Sequence, residues 1–325
     1  MNKTSPELSL VIPAYNEEEN IDELYKETVN ACEKLNRSYE IIFIDDGSID
    51  RTFQIMKELH HRDPNVKVIR LRKNFGQTAA LSAGFDRTRG EIIITMDADL
   101  QNDPADFHLL LAKIDEGFDL VNGWRVKRKD KFLSRRLPSI IANRLISLIT
   151  GVKLHDYGCT LKAFRKDVIK NLKLYGELHR FIPAIASTIG VNIAEVQVNH
   201  RPRIRGKSNY TIFRFIKVIL DLLTVKFLLS YSTRPLQIFG FFGLISGGVG
   251  GILLIYFAYI RLIVLESIAN RPLLFVAILL VIVGIQFITL GLLAEIMVRA
   301  YHESVNKKIY FVREIIDSED QTSNG

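Results

Sequence analysis

Cysteine is scarce. Cys32 and Cys159 are the only two in 325 residues, far apart and outside any metal-ligand spacing, which argues against a disulfide framework or a thiolate metal site and leaves two reduced, structural thiols. The first seven residues are polar and the first apolar run is short, so no secretory signal peptide is expected. There is no internal repeat and no low-complexity stretch, apart from a polar segment at 317–325 that is expected to be disordered. Charge is absent from residues 236–260 and 273–294. A soluble helix rarely lacks a polar face over such a length, and the 22 residues of the second run would span about 33 Å, one hydrocarbon core, so both are expected to cross a membrane.

What is present fits that reading. With 48% hydrophobic residues and a mean hydropathy of +0.12, the chain can bury a full α/β core and still carry membrane segments. Residues 261–272 join the two spans closely enough to make a hairpin with both ends on one side of the bilayer. Arg234, Arg299, Lys307, Lys308 and Arg313 flank the outer ends, against Arg261, Arg271 and Glu266 in the connector, which favours termini and an N-terminal domain in the cytosol, and the chain is expected in the cytoplasmic membrane. Forty-three Lys and Arg against 36 Asp and Glu give a net charge of +7. The basic residues cluster near the membrane-facing segments, so anionic lipid rather than nucleic acid is the expected counter-charge.

Two further segments have helical stripes. In 211–232, Arg214, Lys217, Asp221 and Thr224 recur at three- and four-residue steps in an apolar background, which predicts a helix lying in the membrane interface. In 131–150, Arg136, Ser139, Asn143 and Ser147 form a polar stripe opposed by leucines and isoleucines. Gly243, Gly247 and Gly251 form a small-residue stripe in the first span that could pack the hairpin on itself or against a second copy, leaving a homo-oligomer open.

Before residue 123 the pattern alternates strands near 8–13, 39–45, 66–70, 91–96 and 119–122 with helices near 18–35, 51–61, 77–88 and 104–116, which predicts a mostly parallel sheet with helices on both faces. Three strands end in polar or acidic loops: Pro13-Ala14-Tyr15-Asn16-Glu17-Glu18, Asp45-Asp46-Gly47-Ser48, and Asp97-Ala98-Asp99-Leu100-Gln101. In such a sheet these loops converge on the crevice beyond the carboxyl ends of the strands. Asp97 and Asp99, with Gln101 behind them, can aim oxygen atoms at one hard cation, Mg²⁺ or Mn²⁺, that keeps positions free for phosphate. Taken singly, an Asp-x-Asp is more often a solvated turn, and Glu17 and Asp46 are as well explained by helix capping and turn formation.

Taken together, the three motifs resemble glycosyltransferase family 2, with the GT-A fold, and within it the polyprenyl-phosphate glycosyltransferases. The resemblance covers about the first 230 residues and extends into the membrane tail. It implies a GT-A catalytic domain over 1–210, an interfacial helix over 211–232, two transmembrane helices within 233–300 and a cytoplasmic tail over 301–325. It also implies that Pro13, Tyr15 and Glu17 hold uracil and ribose, that Asp46 reads the base with Ile44 lining the pocket, and that Asp97, Ala98, Asp99 and Gln101 form the metal and diphosphate cluster.

Arg125, Arg128, Arg203 and Lys207 are the candidate phosphate ligands. Residues 201–210 resemble the family's Arg-x-x-Gly-x-Ser-Lys loop, but Asn209 stands at its usual lysine, leaving Lys207, Arg205 or Arg201 to supply the charge. Asp156 aligns with the aspartate usually called the catalytic base. The acceptor is a phosphate monoester whose second pKa is about 6, so its attacking oxygen is already ionised near neutral pH and the demand on Asp156 is light.

The implied reaction is inverting transfer of a hexose from a UDP-sugar to polyprenyl phosphate. UDP-glucose is the first choice of donor; GDP-mannose, UDP-N-acetylhexosamine and a modified pentose stay open. A processive polysaccharide synthase is disfavoured because Trp124 is the only tryptophan and no Gln-x-x-Arg-Trp is present. A catalytically inactive membrane scaffold is the remaining alternative, opposed by the intact Asp97, Asp99 and Gln101.

Overall fold

The short, continuously apolar runs of the N-terminal half become strands buried on both faces, as parallel sheets require. β1 (Leu8–Ala14) is buried at every position, and β2 (Tyr39–Asp45) at all but its first. The structure, a computed structural model, describes residues 5–126, 143, 146, 147, 150–172, 178–187, 189–202, 235–267, 271–303 and 308–317. The remaining strands are β3 (Val66–Leu71), β4 (Ile92–Thr95), β5 (Leu120–Arg125), β6 (Lys162–Arg165), β7 (Ile193–Val198) and β8 (Val312–Ile316), and the described strands form one sheet in the order β7-β5-β6-β4-β1-β2-β3-β8. β1 pairs in parallel with β2 and β4, β2 with β3, and β5 with β7; β6 is antiparallel to β4 and β5, and β8 to β3.

Helices α1 (Ile21–Leu35), α2 (Thr52–Arg62), α3 (Gln77–Phe85) and α4 (Phe107–Asp115) cover the sheet, followed by the short α5 (Lys166–Asn171) and α6 (Ile182–Ser187). α1 buries Ile21, Leu24, Thr28, Ala31 and Cys32, one face at three- and four-residue steps. α3 lies close on β1 and β2 because it has a glycine where it meets them. A Cβ on Gly84 would come within 2.4 Å of Val11 Cγ1 and 2.9 Å of Ile44 Cδ1. The chain runs outward from β1 through β2 and β3 and then crosses back to β4 on the other side of β1. The switch point therefore lies between β1 and β4, where an open α/β sheet keeps its ligand crevice.

The expected alternation of strands and helices up to residue 123 is present, with ends displaced by a few residues. β6, β7 and β8 were not expected. β8 contributes an antiparallel edge from beyond the two long apolar runs, within the stretch expected to be a plain tail. By compactness the chain divides into 1–225 with 308–325, and 226–307.

The second unit holds α7 (Pro235–Tyr259), a π-helical turn Ile260–Val264, and α8 (Pro272–Glu303). Two stretches, Phe239–Val264 and Pro272–Ala294, are long and apolar enough to cross a membrane, and they expose large apolar side chains such as Leu244, Ile255, Phe275 and Ile285. The glycine stripe packs the hairpin on itself. A Cβ on Gly284 of α8 would lie 2.6 Å from Gly247 N and 2.8 Å from Gly243 O, and one on Gly250 would lie 2.7 Å from Ala277 O. Gly251, expected in that stripe, faces open space and Gly250 takes its place. The expected interfacial helix at 211–232, with Arg214, Lys217, Asp221 and Thr224, lies outside the described residues.

Candidate active site

The loops after β1 and β2 are stitched to each other. Ser48 accepts from Asn16 N–H at 3.0 Å, Asn16 Oδ1 from Ile49 N–H at 3.0 Å, and Thr52 Oγ1 from Glu17 N–H at 2.8 Å. Pro13 is buried at the end of β1 and Tyr15 is exposed at the mouth. Glu17 Oε2 accepts from Asn20 Nδ2 at 2.6 Å, just ahead of α1. Ile44 is fully buried against Gly84, which places it in the core beneath the loop rather than on the loop's surface.

Asp46 is buried at the end of β2, and its two oxygens accept from Phe75 N–H at 2.8 Å and Gly76 N–H at 2.9 Å. Burial raises its pKa above the usual carboxylate value, outweighing those two hydrogen bonds. Gly47 makes this approach possible. It has φ +72°, and a Cβ there would lie 2.4 Å from the Lys73 carbonyl carbon, so the 73–76 loop rests directly on it.

At the end of β4, Asp97 Oδ1 accepts from Gln77 Nε2 at 2.6 Å, and Asp99, buried, accepts from Gln101 N–H at 3.2 Å. Ala98 is buried between them. Leu100 has φ +59° with its side chain buried, a left-handed residue costing about 1–2 kcal/mol in a non-glycine. Backbone strain immediately after the two aspartates marks the turn as held by its surroundings. The hard oxygen donors of Asp97 and Asp99 suit Mg²⁺ or Mn²⁺, which needs only one or two carboxylates when phosphate and water complete its shell. No group of three or more His, Cys, Asp or Glu among the described residues could hold a metal by itself. Gln101 turns toward the 200–202 segment, with its carbonyl accepting from Arg201 N–H at 2.9 Å and its Nε2 3.5 Å from Arg201 O.

Arg201 is committed elsewhere. Its guanidinium pairs with Glu27 at 2.7 Å and with Asp103 at 2.9 Å, which anchors the base of the basic loop and takes Arg201 out of the choice of phosphate ligands. Arg128, Arg203, Arg205, Lys207 and Asn209 lie outside the described residues.

Arg125, at the end of β5, meets the buried carboxylate of Asp156 at two points, Nε to Oδ2 at 2.7 Å and Nη2 to Oδ1 at 3.0 Å. Burial works to lower the arginine's pKa, but the bond and charge of Asp156, with smaller contributions from Cys159 and Asp97, more than offset it and raise the value.

The loop bearing Asp156 is fixed by residues the sequence did not mark. Glu195 on β7 accepts from the N–H groups of His155 and Asp156 at 3.0 and 3.1 Å, and from His155 Nδ1 at 2.7 Å. His155 stacks on Trp124, with ring centroids 4.1 Å apart. Lys162, buried in β6, donates to Asn122 Oδ1 and to the carbonyls of Tyr157 and Cys159, and Asn122 Nδ2 donates to Asp156 O at 2.9 Å. Burial lowers the Lys162 pKa to about 8, against partial support from Cys159 and Asp156. Two residues of the stripe read in 131–150 also reach this loop, Asn143 donating to His155 O at 2.7 Å and Ser147 to Leu154 O at 3.3 Å. Arg136 and Ser139 lie outside the described residues.

Carboxylates at the ends of β2 and β4 around a switch point, beside a guanidinium–carboxylate pair at the end of β5, suit the binding of a nucleoside diphosphate and the departure of its phosphate. The glycosyl transferase family 2 profile matches residues 9–173. Dodecaprenyl-phosphate galacturonate synthase of Rhizobium johnstonii is 43% identical over 321 residues, 98% of this chain and 95% of its own. Undecaprenyl-phosphate 4-deoxy-4-formamido-L-arabinose transferase of Salmonella choleraesuis is 38% identical over 312 residues, 95% of this chain and 93% of its own. Among solved structures, glucosyl-3-phosphoglycerate synthase of Mycobacterium tuberculosis, crystallised with Mn²⁺, UDP and phosphoglyceric acid, superposes with a TM-score of 0.53 at 21% identity, covering 68% of this chain and 78% of that one, a likeness of fold. The chain belongs to glycosyl transferase family 2 and, within it, to the enzymes that transfer a sugar to polyprenyl phosphate.

Proposed function

We propose that the chain transfers a sugar from a uridine diphosphate donor to polyprenyl phosphate, with inversion, at the cytosolic face of the cytoplasmic membrane. The observation that carries this reading is the convergence of Asp46, Asp97 and Asp99 at the switch point of the sheet, with Arg125 held beside them by Asp156. Asp46 accepts the uracil N–H on lone pairs left beside its two backbone bonds, since a carboxylate offers about four such sites. Tyr15 and Glu17 flank the nucleoside. Asp97 and Asp99 would hold Mg²⁺ or Mn²⁺, which when bound stabilises the negative charge growing on the departing diphosphate.

Asp156 holds Arg125 at two points, which aims the guanidinium. Two of the five N–H groups of Arg125 face Asp156, and the rest of the fork suits a phosphate. The acceptor phosphate attacks as the dianion, forming the oxygen–anomeric carbon bond as the bond to the diphosphate breaks. With a second pKa of about 6, it needs no proton acceptor from the protein. Arg203 and Lys207 are the candidates, from the family's basic loop, for the remaining phosphate contacts. Two helices long and apolar enough to cross a membrane would keep the chain at the surface that carries its lipid acceptor, which replaces a rare bimolecular encounter by a more frequent one.

For the sugar, the full-length relatives favour galacturonate first and 4-deoxy-4-formamido-L-arabinose second, ahead of the glucose expected from membrane architecture alone. Purified protein given undecaprenyl phosphate and, in turn, the UDP-linked forms of these three sugars and GDP-mannose tests the reading. The highest kcat/KM with UDP-galacturonate supports it in full. Preference for another uridine donor overturns the sugar, and preference for GDP-mannose overturns the uridine reading.

A further inference from the structure

The segment 308–317 returns to the α/β unit after the membrane helices, and it touches the parts of that unit on which the donor site rests. Phe311 O accepts from Arg72 N–H at 2.9 Å, and the Phe311 ring meets the Phe75 ring with centroids 6.0 Å apart. Phe75 and Gly76 are the residues whose N–H groups hold the Asp46 carboxylate. Gly76 leads into α3, whose first residue, Gln77, holds Asp97. At the other end of α3, Asp86 accepts from Tyr310 OH at 2.5 Å and pairs with Lys308 at 3.1 Å. Beyond β8, Asp317 lies 3.3 Å from Lys67 and 3.6 Å from Arg89, both of which pair with the buried Glu40. The segment is thus fastened at both ends, and between them it spans the loop and the helix that set two site carboxylates.

We infer that 308–317 is a positioning strap for the donor site: through Phe311 and Tyr310 it fixes the 72–76 loop and α3, and with them the carboxylates of Asp46 and Asp97. The inference rests on the reading of Asp46 as the residue that meets the donor base. Phe311 and Tyr310 touch neither reactant. They act through Phe75, Gly76 and Gln77. The strap belongs to the same compact unit as the donor site although more than 80 residues of the other unit precede it in the sequence, so donor affinity depends on residues remote from the site along the chain.

The test uses full-length protein in lipid nanodiscs carrying Phe311→Ala or Tyr310→Phe. Phe311 is 59% exposed, so its truncation removes the ring contact without opening the core, and Tyr310→Phe removes only the hydroxyl. Each variant is expected to weaken Mn²⁺-dependent UDP binding by about 3- to 10-fold, to leave the KM for polyprenyl phosphate and the melting midpoint unchanged, and to speed amide hydrogen exchange across 72–77. UDP affinity equal to wild type in both variants overturns the strap. A parallel loss of donor binding, acceptor binding and melting midpoint also overturns it, because that is what plain destabilisation produces. Wild-type protein that binds no UDP overturns the uridine reading instead. The exchange measurement then decides the strap by itself, unchanged protection across 72–77 sinking it.

Discussion

Arg125 and Asp156 meet as a two-point pair, Nε to Oδ2 at 2.7 Å and Nη2 to Oδ1 at 3.0 Å, with the carboxylate buried. A carboxylate held in this way serves as a brace for the guanidinium. Arg125→Ala is expected to lower kcat by roughly 100-fold or more, the scale on which one preorganised electrostatic contact acts, whereas Asp156→Asn, which keeps one acceptor for the guanidinium, loses about 10-fold. Removing one partner of a buried pair can destabilise a fold by about 3–5 kcal/mol, so each rate is read beside a melting curve at the assay temperature. An inert Asp156→Asn next to an active Arg125→Ala would restore Asp156 as the proton acceptor.

Burial holds the Asp46 carboxyl above its ordinary value, and the ionised form accepts the backbone bonds and a uracil N–H more strongly than the protonated form, which also turns one site into a donor. Uridine binding, which involves no phosphate titration, is therefore expected to fall as pH drops through a value above the ordinary aspartate range. Asp46→Asn should bind uridine weakly and without that acid limb. A wild-type profile flat to below pH 4 would remove Asp46 from base recognition.

Lys162 is a buried ammonium whose pKa falls to about 8, below the unfolded value of about 10.4. Between those two values the unfolded chain binds more protons than the folded one, so this group makes stability rise with pH across that window. The melting midpoint of wild type relative to Lys162→Met should move in favour of wild type between pH 7 and pH 10. Movement in the opposite direction would mean that the three oxygens around the ammonium raise its pKa.

The glycines of the membrane hairpin are not equivalent. Gly284→Leu forces a side chain into the backbone of Gly243 and Gly247, and overpacking of that kind costs about 1–3 kcal/mol. A Cβ on Gly251 would meet nothing within 4 Å, so Gly251→Leu should leave the melting midpoint and the oligomeric state unchanged. A change of oligomeric state in Gly251→Leu alone would place a second copy on that face.

The legible parts of this protein were those whose cause is local. β1, β2 and β4 read as strands because burial on both faces leaves continuous apolar runs, and Asp46, Asp97 and Asp99 stand out as candidates because they follow such runs directly. β6 was not read because it is four residues long and opens with a lysine, and Lys162 is buried only because Asn122 and the 157–159 carbonyls are brought around it from elsewhere. β8 was not read because Arg313 and Glu314 sit on its exposed positions and its partner β3 lies on the far side of the membrane segments in the sequence. Arg201 was included among the candidate cations because of its place in a basic loop. Its acidic partners, Glu27 and Asp103, come from α1 and the turn before α4, which no local pattern could reveal.

The most direct test of the account is transfer of labelled sugar from UDP-galacturonate to undecaprenyl phosphate by the full-length protein, with Mn²⁺, with Mg²⁺, with chelator, and with Asp99→Ala. Label is expected in the lipid phase, requiring a divalent metal and falling by at least about 100-fold in the variant. Transfer that persists with chelator and in Asp99→Ala would contradict the role given to Asp97 and Asp99, and with it the arrangement on which the mechanism rests.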